Sequence, residues 1–271
     1  LAPYFPEYKM FIESGAGAKC VVVPPAVQDF QIDFAALAQA LNARTKAIVI
    51  NSPNNPSGAV YSEQTIRRLA GLLAEKEEQY GHPIYLVSDE PYREIIYDGI
   101  ETPFVPQYYE NTIVCYSYSK SLSLPGERIG YVLVPPQAAD SADLYAAVCG
   151  AGRALGYVCA PSLFQRVAAR CAGQTSDITV YQTNRDLLYN GLTEMGYRCV
   201  KPQGAFYLFP QTLEPDDRAF CGQAKKYDLL VVPGTDFGAP GHMRISYCVQ
   251  TETIRRALPL FKKLAEEYGC K

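Results

Sequence analysis

The chain has 271 residues, 48% of them hydrophobic, which is enough for one large domain or two modest ones with a buried core. The formal net charge of −3, without any run of Lys or Arg or any apolar run as long as a membrane span, argues against binding to nucleic acid or a membrane. Nine cysteines without C-x-x-C spacing indicate reduced thiols and a cytoplasmic location, and two distant histidines remove most zinc and Ser-His-Asp sites.

Residues 1–136 alternate between predicted helices and strands. An apolar stripe marks the first helix, at Phe34, Leu37, Ala38 and Leu41. A second helix is predicted between an N-cap at Ser62 and a closing Gly81. The strands are short apolar runs, in chain order AIVINSP, IYLVSD, TIVCYS and RIGYVLVP. This alternation predicts an α/β fold with a mixed, mostly parallel sheet and helices on both faces.

After residue 136 the pattern becomes helical. Three helical segments are predicted, SADLYAAVCGAGRALG, SLFQRVAARC and DITVYQTNRDLLYNGLTEMG. Two strands follow, GAFYLFP and MRISYC, and then a terminal helix in which Pro259 should produce a kink or delay the start. The last part of the chain is therefore predicted to be a smaller α+β unit.

Polar side chains follow three of the predicted strands. Lys120 lies between two strands, before a turn-forming Pro-Gly pair, and is predicted to project from a loop. Asn55, Asp89 and Tyr92 follow the two upstream strands, and ligands bind at such strand ends in open α/β sheets. Each residue alone has a simpler interpretation: a solvated lysine, a turn asparagine or aspartate, or one packed tyrosine among 21. Together they predict one ligand-binding crevice.

The motifs NNPSG, SDEPY and SYSK occur in this order, and the set resembles the class I and II aminotransferases, which are fold-type I pyridoxal-phosphate (PLP) enzymes. The resemblance implies PLP as cofactor and an amino acid and a 2-oxo acid as substrates, and we expect an aspartate-like amino acid. It also implies a PLP-binding large domain over 1–173, a small C-terminal domain over 174–271, and a homodimer. Because family members extend further upstream, we expect the chain to lack an N-terminal part and to bind PLP weakly alone.

The resemblance assigns roles to single residues. Lys120, Asp89 and Tyr92 are the expected catalytic residues: the amine that links to PLP, the acid at the pyridine nitrogen and the donor to the phenolic oxygen. The remaining assignments are Phe5 stacked on the ring, Asn55 at the phenolic oxygen and the substrate, Ser117 and Arg128 at the phosphate, and Arg244 at the substrate carboxylate. Pro56 is expected in the cis form. No metal is expected. A glycine motif at Gly15 lacks the third glycine of a dinucleotide site.

Two alternatives share this fold. A PLP-dependent β-eliminating lyase would use the same lysine, acid and arginine, and product analysis separates it from an aminotransferase. The effector domain of a PLP-binding transcription regulator would carry a DNA-binding region upstream. We favour the aminotransferase because every catalytic position that can be checked is filled.

Overall fold

The computed structural model describes residues 1–270. Its helices are α1 Glu7–Met10, α2 Phe34–Ala40, α3 Glu63–Tyr80, α4 Tyr118–Ser121, α5 Ser141–Ala154, α6 Ser162–Arg170, α7 Thr179–Glu194, α8 Asp217–Ala224 and α9 Thr251–Glu267. Its strands are β1 Ala47–Asn51, β2 Tyr85–Asp89, β3 Thr112–Ser117, β4 Gly130–Leu133, β5 Tyr207–Leu208, β6 Val232–Pro233 and β7 Met243–Ser246. All segments predicted as strands or helices contain an element of the predicted type.

The first sheet has the order β1-β2-β3-β4. The first three strands are parallel and β4 is antiparallel, so the predicted mixed, mostly parallel sheet is confirmed. The register pairs Asn51 with Asp89 and Asp89 with Cys115. Because paired residues of neighbouring strands point to the same face, these three side chains lie together at the carboxyl edge.

Local sequence sets the helix boundaries around this sheet. Asp33 caps α2 by accepting hydrogen bonds from two backbone amides of the first turn, and Ser62 caps α3 in the same way through Thr65. Gly81 ends α3 in the left-handed region at φ 71°, as predicted. The stripe predicted for α2 is partly wrong, since Ala38 is exposed.

The second sheet is antiparallel, with the order β5-β7-β6. Its core includes apolar residues from α7, α8 and α9, namely Leu188, Leu192, Phe220, Phe261 and Leu264. Helix α9 begins at Thr251 and runs through Pro259, so the proline does not delay its start.

The turn after β1 packs against the segment that enters β5. The carbonyl of Gly58 accepts hydrogen bonds from the amides of Gln203 and Gly204, both at 2.9 Å. Gly58 has φ +70°, and a Cβ atom there would lie 2.6 Å from Cβ of Pro202. Only glycine fits this close approach without displacing its neighbours.

A buried guanidinium joins α7 to the loop after β2. Arg185 is fully buried and binds both carboxylate oxygens of Asp98, at 2.8 and 3.0 Å, and Asp186 at 2.8 Å. Its guanidinium also lies 4.6 Å from the ring centroid of Tyr97. Lys201 lies 3.6 Å from Asp98, which adds a second positive charge to the network.

Within residues 1–270, no helix is both long and apolar enough to span a membrane.

Candidate active site

The last residue of β1 connects two of the predicted site residues. Asn51 donates through Nδ2 to the backbone oxygen of Asp89 at 2.9 Å, and to Oδ2 of Asp89 at 3.5 Å. Its Oδ1 accepts from the backbone amide of Asn55 at 2.7 Å. The Asn55–Pro56 peptide bond is cis, as predicted. Asn51 therefore fixes the turn that carries Asn55 relative to the end of β2.

Asp89 is held by protein donors on one oxygen only. Tyr8 donates its hydroxyl to Oδ2, the oxygen that also faces Asn51. No donor from residues 1–270 reaches Oδ1, and that atom is not among the buried unsatisfied atoms. Burial raises the pKa of Asp89 to about 6, the Tyr8 hydrogen bond lowers it and the neighbouring Glu90 raises it. At neutral pH the carboxyl is therefore mostly ionised, with one oxygen available to a ligand.

Tyr8, which contacts this carboxylate, forms an aromatic pair with Phe5. Their ring centroids are 5.6 Å apart, in an edge-to-face arrangement. Burial raises the pKa of Tyr8 well above its usual value, and the charge of Asp89 adds to the effect. Tyr8 therefore remains a neutral hydrogen-bond donor.

Tyr92 lies in the core at the edge of the site. Its hydroxyl is 3.1 Å from that of Tyr207, and its ring contacts Phe206 and Tyr207 edge to face. Burial and the Tyr207 hydroxyl raise the pKa of Tyr92 far above its usual value, although the charge of Arg244 opposes them. Tyr92 is therefore a neutral phenol, able to donate a hydrogen bond.

Lys120 does not project from a loop, so that prediction was wrong. It lies in the one-turn helix α4, directly after β3. The helix forms because Ser117 caps it: Oγ accepts from the amide of Ser119 at 3.1 Å. Nζ of Lys120 lies 5.7 Å from the ring centroid of Phe206. Within residues 1–270 this amine has neither a hydrogen-bond nor an ion-pair partner in its half-buried position.

Arg244 in β7 reaches the first sheet. Nη1 donates to Oδ1 of Asn55 at 3.1 Å. The guanidinium lies 4.7 Å from the ring centroid of Tyr207 and 4.8 Å from that of Phe237. These two aromatic faces fix the plane of a half-buried guanidinium beside the turn that carries Asn55.

Arg128 stands apart from the other predicted residues. It is exposed, has φ 53°, and donates through Nη1 to the backbone oxygen of Pro125 at 2.6 Å. In the described part of the chain it forms no salt bridge with the neighbouring Glu127. Arg128 lies two residues before Gly130, which pairs with Ser117, so its backbone is close to the end of β3.

The structure thus links most predicted residues into one series of contacts. The series runs from Phe5 and Tyr8 through Asp89, Asn51, Asn55, Arg244, Tyr207, Tyr92 and Phe206 to Lys120. Sequence reasoning missed four of its members, Tyr8, Asn51, Phe206 and Tyr207. Asn51 could have been found as a polar residue that ends a buried strand. The other three carry no signal, because tyrosines and phenylalanines are usually packing residues.

Comparison with known proteins agrees with this geometry. Residues 1–260 match the family model for aminotransferase class I and II. Aspartate/prephenate aminotransferase from Thermus thermophilus is 32% identical over 268 residues, which cover 97% of this chain and 68% of that protein.

Two solved structures have the same fold. The structure of an amino transferase from Eubacterium rectale is 61% identical, with a TM-score of 0.96, and the match covers 98% of this chain and 67% of that one. The structure of Thermus thermophilus aspartate aminotransferase with maleate is 31% identical, with a TM-score of 0.78, and covers 97% and 68%. This chain therefore spans about two thirds of the length of these relatives.

These matches show that the fold is that of a fold-type I PLP-dependent transferase. The chain belongs to the class I and II aminotransferases, and it is a PLP-dependent enzyme that acts on amino acids and 2-oxo acids.

The residues present fit PLP. The pyridine nitrogen needs an acid, and Oδ1 of Asp89 is available for it. The aldehyde of PLP needs an amine that is not paired with a carboxylate, and Lys120 provides such an amine.

Proposed function

We propose that Lys120, Asp89 and Tyr92 are the catalytic residues of this aminotransferase. The observation that carries the proposal is the state of Asp89, a mostly ionised carboxylate whose Oδ2 is held by protein donors and whose Oδ1 is free of them. PLP, when bound, acts as an electron sink for the negative charge that develops on the substrate α-carbon. The residues of the chain position the reacting groups and move the proton.

The roles proposed for Lys120, Asp89, Tyr92 and Asn55 follow from the positions of their side chains. The amine of Lys120 removes the proton from the α-carbon and returns it to the cofactor side, because it is the only amine in the series of contacts. Oδ1 of Asp89 would accept a hydrogen bond from the pyridine nitrogen of PLP. Tyr92 and Asn55 donate to the phenolic oxygen, and the neutral state of Tyr92 supports this role. The family resemblance alone assigns Phe5 to the ring of PLP and Ser117 and Arg128 to its phosphate, which a hydroxyl and a guanidinium would bind.

Arg244 is the proposed binding residue for the substrate carboxylate, together with Asn55. Its guanidinium already binds a side-chain oxygen, Oδ1 of Asn55, and its plane is fixed by two aromatic rings. A fixed planar guanidinium matches the two oxygens of a carboxylate. We further propose an aspartate-like, dicarboxylic substrate. The relatives support it: one is an aspartate/prephenate aminotransferase and another is an aspartate aminotransferase solved with maleate.

We also propose two domains, residues 1–173 and 174–271. Each range contains one of the two sheets, and α7 follows the boundary. A homodimer and a cytoplasmic location are further proposals. Nine cysteines without paired spacing fit a reducing compartment.

The test is labelling of the lysine. The full-length wild-type protein should turn yellow with PLP, and borohydride should fix the cofactor on the peptide that contains Lys120. Lys120→Ala should still bind PLP without a covalent link and lose turnover. Lys201→Ala, a change of an exposed lysine, is the control and should label normally. Recovery of the label on another lysine would refute the assignment, and release of ammonia without amino transfer would favour a lyase.

A further inference from the structure

Tyr8 is a half-buried hydrogen-bond donor that the proposed mechanism does not use. Its hydroxyl is directed at Oδ2 of Asp89, 81 residues away in the chain. Its ring packs against Phe5, in the segment that leads into the site. A packing role would need only the ring of Tyr8. Its hydroxyl instead binds Oδ2 of Asp89, which leaves Oδ1 available to a ligand.

We propose that Tyr8 is a positioning residue for the reaction: its hydroxyl holds Asp89 in the ionised form and in the orientation that presents Oδ1 to the pyridine nitrogen. The inference rests on the proposed role of Asp89. It adds a residue that acts through Asp89, without contact to the substrate.

The surroundings of Asp89 explain why such a donor is needed. The titratable groups that face it are Tyr8 from α1, Glu90 next to it, Tyr92 in the following turn and Cys115 from β3. None of these is a cation. Burial and the charge of Glu90 both favour the protonated acid, and the Tyr8 hydroxyl favours the carboxylate. Asn51 adds only a long contact to Oδ2, at 3.5 Å.

The consequence is a defined pH dependence of cofactor binding. A protonated Asp89 cannot accept a hydrogen bond from the protonated pyridine nitrogen of PLP. The binding of PLP should therefore weaken as the pH falls below the pKa of Asp89, about 6. Without the Tyr8 hydroxyl this pKa rises, and the weakening begins at a higher pH. A hydrogen bond to a charged group corresponds to a shift of about one pH unit.

The experiment is a PLP titration of cofactor-free wild type and Tyr8→Phe between pH 5 and 8. We expect the Kd of Tyr8→Phe to rise roughly tenfold relative to wild type at pH 5 and less than twofold at pH 8. Tyr109→Phe is the matched control, because it removes another buried hydroxyl, which donates to the backbone oxygen of Ile84. It should leave the pH dependence unchanged. In an Asp89→Asn background, Tyr8→Phe should have no pH-dependent effect.

A second measurement needs no cofactor. The hydroxyl stabilises only the ionised carboxylate, so Tyr8→Phe should lose stability relative to wild type as the pH rises from 5 to 8. A Kd ratio and a stability difference that do not change with pH would overturn the inference and leave Tyr8 as a packing residue. Failure of wild type to bind PLP would instead contradict the proposed function, while the stability measurement would still test Tyr8.

Discussion

The guanidinium of Arg244 donates to Oδ1 of Asn55 at 3.1 Å, although the two residues are 189 positions apart. This bond connects β7 of the second sheet to the turn after β1 of the first. The proposed carboxylate-binding arginine is therefore positioned by a residue that is itself proposed to contact the cofactor.

Replacing Arg244 with lysine should weaken substrate binding. A lysine keeps the positive charge, but its ammonium cannot form the two parallel hydrogen bonds that a guanidinium makes to a carboxylate. Each charge-assisted hydrogen bond contributes about 1.5–3 kcal/mol. We expect kcat/KM for amino acids to fall about 10- to 100-fold, mostly through KM. Steady-state kinetics check this, with Arg218→Lys, an exposed arginine paired with Asp236, as control. An unchanged KM would contradict the role of Arg244.

Replacing Asp89 with asparagine should separate catalysis from stability. The folded-state pKa of about 6 lies above the ordinary 3.8, so the protonated acid favours folding. That contribution is lost as the pH rises from about 4 to above 6. Asparagine resembles the protonated acid at every pH, so wild type without cofactor should lose at most about 3 kcal/mol relative to Asp89→Asn over this range.

Denaturant unfolding of both proteins at pH 4 and pH 7 measures this difference. In the same variant kcat should fall by orders of magnitude, because the charge partner of the pyridine nitrogen is lost. If the stability difference between wild type and Asp89→Asn does not change with pH, the fold does not raise the pKa of Asp89.

Gly58 should not tolerate a side chain. In Gly58→Ala the added Cβ would meet Cβ of Pro202 at 2.6 Å in a left-handed backbone conformation, and we expect a loss of about 1–3 kcal/mol. The displaced turn should also weaken PLP binding through Asn55. Gly71→Ala is the matched control: it lies within α3 with nothing within 4 Å, so the alanine should stabilise the protein by about 0.5–1 kcal/mol. Thermal unfolding of both variants measures the two changes in stability, and equal changes would refute the prediction for Gly58.

Arg185→Met should destabilise the protein strongly. The change leaves Asp98 and Asp186 side by side with only Lys201 between them, although both carboxylates are partly exposed. We expect a loss of about 2–4 kcal/mol. Arg67→Met is the control, since its pair with Glu63 is exposed and contributes less than about 1 kcal/mol. Denaturant unfolding of both variants at one salt concentration measures the two losses, and a loss in Arg185→Met no larger than that in Arg67→Met would contradict the prediction.

The sequence alone was sufficient for most of the fold. Caps such as Ser62 and Gly81 and short apolar runs are local signals, and each local signal corresponds to an observed element. The prediction for Lys120 failed because its helix has only four residues, too few for an apolar stripe. The exposure of Ala38 was missed because burial depends on what packs against a helix, which the sequence of the helix does not contain.

The site was predictable only where its residues follow strands or lie in a recognisable motif. Tyr8 could not be predicted, because its role depends on a contact with Asp89, 81 residues away in the chain. The same holds for Phe206 and Tyr207, which reach Lys120 and Tyr92 from the second sheet. Long-range contacts of this kind are set by packing, and no local pattern encodes them.

The close approach of Gly58 to the segment before β5 has a consequence for how the protein folds. Val60, next to this contact, donates to the side chain of Gln203, 143 residues later in the chain. Such distant pairings form late, because the entropy of closing a long loop must be overcome first. The turn at the carboxyl edge of the first sheet is therefore complete only once residues 203 and 204 have joined it.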